Sequence, residues 1–135
     1  MPVAADRSSA QSRTRHYRDL KVWQRAMELA KAVYQETEDL PAKERYGLQS
    51  QMRRAAVAIP SNIAEGHGRL STREYRQFLG VARGSNFELQ TQIEIARALG
   101  KGDGKLLNHA EGLSHEIGKM IFGILEGIRE PGSSS

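Results

Sequence analysis

Ser71-Thr72-Arg73-Glu74-Tyr75-Arg76-Gln77-Phe78-Leu79-Gly80-Val81-Ala82-Arg83-Gly84-Ser85-Asn86-Phe87-Glu88-Leu89-Gln90-Thr91-Gln92-Ile93-Glu94-Ile95-Ala96-Arg97-Ala98-Leu99 is the stretch that decides the fold. Ser71 and Glu74 have the spacing of a capping box, in which the serine hydroxyl takes an otherwise orphaned backbone amide. Behind it Tyr75, Phe78, Ala82, Ser85, Leu89, Gln92, Ala96 and Leu99 recur at alternating steps of three and four, until Gly100 ends the run. That period places them on one stripe of a helix expected over 72–99. Two members, Ser85 and Gln92, are polar, so the stripe is expected to face a helical core that contains hydrogen bonds.

Working outward, the same period occurs three more times. Leu20, Trp23, Met27, Ala30 and Tyr34 predict a helix over about 19–38, with Asp19 as N-cap and Pro41 beyond its end. Leu48, Met52, Ala55, Ile59 and Ile63 predict a second over about 43–65, stopped at Gly66. Pro60 lies inside it, so a kink, or a break and restart, is expected there. Leu106, Ala110, Leu113, Ile117, Met120, Ile124 and Ile128 predict the last helix over about 105–129, after Gly102-Asp103-Gly104. Connections this short force neighbouring helices to run antiparallel. The expected architecture is all-α: an up-down-up-down four-helix bundle spanning 19–130, between a disordered basic tail at 1–18 and a short disordered tail at 131–135.

Composition removes whole classes of chemistry. The chain has 135 residues, enough for one domain, and no cysteine, which excludes disulfides, thiolate metal sites and cysteine nucleophiles. No apolar run approaches a membrane span, and the N-terminus has no secretory pattern, so a cytoplasmic location is expected. His109 and His115 are six apart on one helix and fall on different faces, and the Glu-x-x-His repeats of di-iron bundles do not occur. Ser61 and Ser85 have no activating base at a local spacing. The expectation is a protein that is not an enzyme and holds no cofactor or metal.

Two features ask for partners. Helices three and four carry Gly80, Gly84, Gly112, Gly118, Gly123 and Gly127, each costing about 0.8–1 kcal/mol against alanine in a helix interior. At about 100° per residue, Gly80, Gly84, Phe87, Thr91 and Ile95 form a second stripe on helix three, and Tyr46, Arg53, Val57 and Pro60 form one on helix two. A helix in a lone bundle needs one stripe, so Tyr46, Val57, Gly80, Gly84 and Phe87 are expected at a contact between copies of the chain. The second feature is charge. Between Arg45 and Phe87 stand Arg45, Arg53, Arg54, Arg69, Arg73, Arg76 and Arg83 against only Glu65 and Glu74. Guanidinium forks suit phosphate, which makes these seven the candidate nucleic-acid contacts. The interleaved aromatics are only Tyr46, Tyr75, Phe78 and Phe87, two of them in the core stripe, so a base-stacking platform is not expected.

Asp19-Leu20-Lys21-Val22-Trp23-Gln24-Arg25-Ala26, then Ser50-Gln51-Met52-Arg53-Arg54-Ala55-Ala56-Val57 and Ile59-Pro60-Ser61-Asn62-Ile63-Ala64-Glu65-Gly66, then Phe78-Leu79, Gly84-Ser85, Glu88-Leu89 and Thr91-Gln92 resemble a bacterial four-helix bundle family. That family was first noticed in open reading frames of 23S rRNA intervening sequences. The resemblance runs from about Asp19 to Leu99, and the last helix shares only its apolar pattern. It implies subunits assembled as a ring-shaped homopentamer of largely undefined role. A related branch, the accessory proteins of diversity-generating retroelements, binds nucleic acid and the element's reverse transcriptase. Arg53, Asn62, Glu65, Gly84, Ser85 and Glu88 fall on matching positions, with Asn62 and Glu65 suited to groups freed by Pro60.

The function expected is that of a homo-oligomeric helical module binding the RNA or DNA backbone as a ribonucleoprotein or retroelement accessory protein. The alternative is a scaffold that recruits a partner enzyme without touching nucleic acid.

Overall fold

The computed structural model describes residues 16–38 and 40–128, and among them every regular element is helical. The tail through Arg15, residue 39, the segment 129–135 and the side chains of Arg45 and Tyr46 lie outside the described residues. Four α-helices carry the fold: α1 (Lys21–Glu38), α2 (Ser50–His67), α3 (Thr72–Ala98) and α4 (Gly104–Gly127). A 3-10 turn at Ala42–Glu44 and a π turn at Arg45–Gln49 precede α2 where continuous helix from residue 43 was expected.

Helix α2 packs on α1 and α3, and α4 packs on the same two, which closes a four-helix bundle around one core. The expected stripes hold on three helices. Met52, Ala55, Ile59 and Ile63 are buried from α2, Tyr75, Ala82, Leu89, Gln92 and Ala96 from α3, and Ala110, Leu113 and Ile117 from α4. Leu99, past the end of α3, is exposed. Of the face expected on the first helix only Leu20, just ahead of α1, is buried. The core residues of α1 are Val22, Ala26, Leu29, Ala32 and Val33, whereas Trp23 and Ala30 are half-buried against the core, Met27 is 37% exposed and Tyr34 is 44% exposed. Both sets have a helical spacing, about one residue apart in phase, and the smaller one lets α1 approach its neighbours closely.

The ends of the helices follow local chemistry. Ser71 Oγ accepts from the Glu74 amide at 3.1 Å, as the capping box requires. Asp103 caps α4, accepting from the amides of Lys105 at 2.8 Å and Leu106 at 3.3 Å. Asp19 does not cap α1. It belongs to a 3-10 turn (Tyr17–Asp19) in which His16 Nδ1 accepts from the Arg18 amide at 3.2 Å, and the Leu20 carbonyl takes the first bond of α1, from Gln24. Tyr17 packs on Trp23 edge to face at 5.2 Å and against the core, so the folded part begins ahead of the expected boundary at residue 19.

Helix α2 runs through Pro60 without breaking, and Pro60 is buried, not part of an outward stripe. Asn62 Nδ2 donates to the Ala58 carbonyl at 2.8 Å. The carbonyl that loses its donor to Pro60 is that of Ala56, so Asn62 braces the same stretch without replacing the missing bond. The polar part of the core centres on Asn86, which the stripe on helix three passes by. Asn86 Nδ2 donates to the Ser114 carbonyl at 3.0 Å, Ser114 Oγ donates back to Asn86 Oδ1 at 2.7 Å, and Gln90 Nε2 donates to Ser114 Oγ at 2.8 Å. This network permits one register of α3 against α4.

Two glycines are dictated by space. A methyl group at Gly66 would lie 2.6 Å from Phe78 Cβ and 3.2 Å from Tyr75 Cδ1, so the end of α2 meets the start of α3 backbone to side chain. Gly102 has φ +84°, and a Cβ there would lie 1.9 Å from Oε1 of the buried Glu36. The same carboxylate accepts from the Asp103 amide at 3.3 Å, which seats the start of α4 on the end of α1.

Gly66→Ala is expected to lower the unfolding free energy by about 1–3 kcal/mol, because the contact is with a rigid Cβ and the helices must part. Urea denaturation measures it. An unchanged midpoint would show that α2 and α3 separate at little cost there.

Candidate nucleic-acid interface

The seven arginines singled out by charge divide by what they touch. Arg53 reaches back over the end of α1: Nε donates to Thr37 Oγ1 at 2.8 Å, and a terminal nitrogen donates to the Tyr34 carbonyl at 3.2 Å and to Glu38 at 3.3 Å. Its guanidinium lies 4.3 Å from the Tyr34 ring centroid. Arg69 pairs with Glu65 at 2.8 Å and lies over the Phe78 ring at 4.7 Å. Arg76 donates to the Leu125 carbonyl near the end of α4. These three are bound to the bundle itself. Arg54, Arg73 and Arg83 are exposed and make no ion pair among the described residues, although Arg83 lies over the Phe87 ring at 5.1 Å. The side chain of Arg45 lies outside the described residues.

Arg97, outside that set, is held by Glu94, Asn108 and Glu111. The hydrogen bond to Glu111 raises its pKa above the ordinary arginine value, against a lowering from desolvation, so the guanidinium stays charged. Among the described residues no three of His, Asp and Glu gather where they could hold a metal ion, and no helix is long and apolar enough to cross a membrane.

One concave feature involves the arginines. Tyr34, Gln49, Ser50, Arg53, Arg54, Val57 and Ala58 line a shallow groove of about 640 Å³ along the junction of α1 and α2. Tyr34 and Val57 are exposed within it, at 44% and 42%. The reading of local aromatics did not include Tyr34, because it lies 19 residues before Arg53 and only the packing of α1 on α2 brings them together. Val57 was grouped with Gly80, Gly84 and Phe87, yet no residue of α3 lines its groove.

Those three residues lie on the outward side of α3. Gly80 and Gly84 are exposed and a Cβ on either would meet nothing within 4 Å, while Phe87 is 49% exposed and Ile95 is 44% exposed. Gly112, Gly123 and Gly127 of α4 are equally unconstrained by the chain itself. The residues matched by the family resemblance have structural settings: Arg53 on the end of α1, Asn62 on Ala58, Glu65 on Arg69, and Ser85 half-buried, while Glu88 and Gly84 are exposed.

Removing a guanidinium should separate the two groups. Arg53→Ala is expected to cost about 1.5–3 kcal/mol, the range for hydrogen bonds to a charged group, and Arg54→Ala less than about 0.5 kcal/mol. Thermal or urea unfolding checks the pair, and equal losses would contradict the division.

No curated protein matches the chain. The model of the family described as 23S rRNA-intervening sequence protein matches residues 18–123, which takes in α1, the groove, the outward face of α3 and most of α4. With the four-helix bundle and that match in hand, the chain belongs to the 23S rRNA-intervening sequence protein family.

Proposed function

We propose that the protein is a non-enzymatic, self-assembling helical module that contacts the phosphate backbone of RNA or DNA. In this reading its four helices run up-down-up-down and its subunits close into a ring, with five copies as the resemblance implies. The observation that carries the assembly is the outward side of α3, where Gly80 and Gly84 have open space above them beside the half-exposed Phe87 and Ile95. Glycine at an exposed helix position costs stability, and nothing inside the chain calls for it there. A neighbouring subunit lying close against α3 supplies the reason. Arg54, Arg73 and Arg83, exposed and without carboxylate partners among the described residues, are the phosphate contacts, repeated around the ring into one collective field.

A scaffold that recruits a protein, such as a reverse transcriptase, is the second reading. It is favoured by Arg53, Arg69 and Arg76, whose guanidiniums serve the bundle and not a ligand.

In light scattering the particle is expected to exceed the 15.0 kDa of one chain several-fold, and Gly84→Leu to reduce it, because the added side chain holds the neighbour off α3. A monomer at micromolar concentration overturns the assembly. For binding, log affinity should fall by about 0.7–0.9 per phosphate neutralised against log salt, and Arg54→Gln, Arg73→Gln and Arg83→Gln together should flatten that slope for all sequences alike. No binding at about 50 mM salt, where non-specific affinity is strong, would leave the scaffold reading.

A further inference from the structure

We infer that the groove between α1 and α2 is a nucleotide subsite, in which a base lies on Tyr34 and Val57 while the adjoining phosphate meets Arg54. The inference rests on the nucleic-acid reading above and gives it a place on the surface. Three observations converge. The groove, at about 640 Å³, has the size of a small-ligand site, and its apolar walls, Tyr34 and Val57, are left more than two-fifths uncovered by the chain. Among the described residues its lining holds two arginines and no acid, and the nearby Glu38 carboxylate is already paired with Arg53. The third observation is rigidity.

Arg53 is fixed by Thr37 Oγ1, the Tyr34 carbonyl and Glu38, with its planar group 4.3 Å from the Tyr34 ring centroid. Thr37 Oγ1 is itself anchored, donating to the Val33 carbonyl at 2.8 Å. The ring is therefore held before any ligand arrives, and little side-chain entropy remains to be lost on stacking. Arg54, the next residue, stays exposed with no partner among the described residues.

A planar apolar surface beside one uncommitted guanidinium suits a ligand that joins a flat ring to an anion. A bare phosphate has no use for Tyr34 and Val57, and an apolar peptide has none for Arg54. A base on a tyrosine is sequence-tolerant because every base has a π face. The groove and the outward α3 face are separate patches, since no residue of α3 lines the groove.

The test compares two probes on the full chain: a short single-stranded oligonucleotide and an abasic phosphodiester of the same length, both followed by fluorescence anisotropy. Tyr34→Ala is expected to weaken the oligonucleotide about 5- to 150-fold, the worth of one stacked base, and to leave the abasic probe and the salt slope unchanged. Tyr34→Phe should restore the difference. Val57→Ser should lose part of it and, because Val57 takes no part in the hydrogen bonds that hold Arg53, serves as the second variant should Tyr34→Ala fail to fold. The subsite is overturned if these variants bind both probes as the unaltered protein does, or lose both in proportion. It is also overturned if they change the mass of the assembly, which would mean that a second copy covers the groove. These outcomes leave the nucleic-acid reading standing. Failure of the unaltered protein to bind either probe at about 50 mM salt removes that reading, and the subsite with it.

Discussion

The junction of α1 and α2 depends on one guanidinium. The last turn of a helix leaves carbonyl oxygens without intrahelical donors, and at the end of α1 the Thr37 carbonyl is met by the Leu40 amide and by a side chain that precedes α2. Arg53 donates to the Tyr34 carbonyl, and Gln49 Nε2 donates to the Thr37 carbonyl at 2.6 Å. A cation at a helix C-terminus also meets the negative end of its dipole. The bonds to Thr37 Oγ1 and Glu38 then leave Arg53 a single position. From that position follow the placement of α1 on α2, the fixed Tyr34 ring and the groove beside it. Arg76 plays a related part on the Leu125 carbonyl near the end of α4, so two of the seven arginines close helix ends.

Much of the bundle was legible because its signals are local or periodic. Ser71 and Glu74 are three residues apart wherever the chain goes, and the stripes on α2, α3 and α4 leave few competing phases. On α1 two stripes compete: Trp23, Met27, Ala30 and Tyr34 against Val22, Ala26, Leu29 and Val33. Large side chains look like core in a sequence, yet close packing of four helices has room on this face for alanine and valine, and the bigger set was pushed to the flank. Asp19 failed as a cap for another reason. The chain turns one step earlier, through His16 and Tyr17, and that turn is stabilised by Tyr17 packing on Trp23, which spacing alone does not reveal.

The candidate site was legible in composition and not in geometry. A local excess of arginine is a sum, and a sum does not distinguish Arg53, whose hydrogen bonds are all within the chain, from Arg54 beside it. Neither does it reveal the pairing of Arg69 with Glu65 one helical turn away. Nor does it reveal the pairing of Arg53 with Glu38, which α1 brings within 3.3 Å. Tyr34 lay outside the stretch searched for aromatics because its relation to the arginines is tertiary. The glycines divide as well. Gly80 and Gly84 have no internal contact that accounts for them, whereas a Cβ added at Gly118, counted with them, would lie 3.4 Å from Asn86 Nδ2 of the polar core network.

Assembly and ligand contact make opposite demands on a surface, one burying it and the other keeping it open. In this bundle the stacking groove lies away from α3, although two of the proposed phosphate contacts, Arg73 and Arg83, stand on α3 itself. The outward side of α3 has the features of a buried contact: glycines with open space above them, and half-exposed Phe87 and Ile95. The α1–α2 groove has the features of an open one: an aromatic ring fixed by a bonded guanidinium, and a second guanidinium without a partner among the described residues. No residue of α3 lines the groove, so the outward side of α3 and the groove are separate patches of one chain. Identical grooves at fixed spacing would turn one weak stacking contact per chain into a multivalent grip, in which each contact after the first is effectively intramolecular. A shallow groove on a 15.0 kDa chain then suffices, since affinity comes from repetition and not from the depth of any single site.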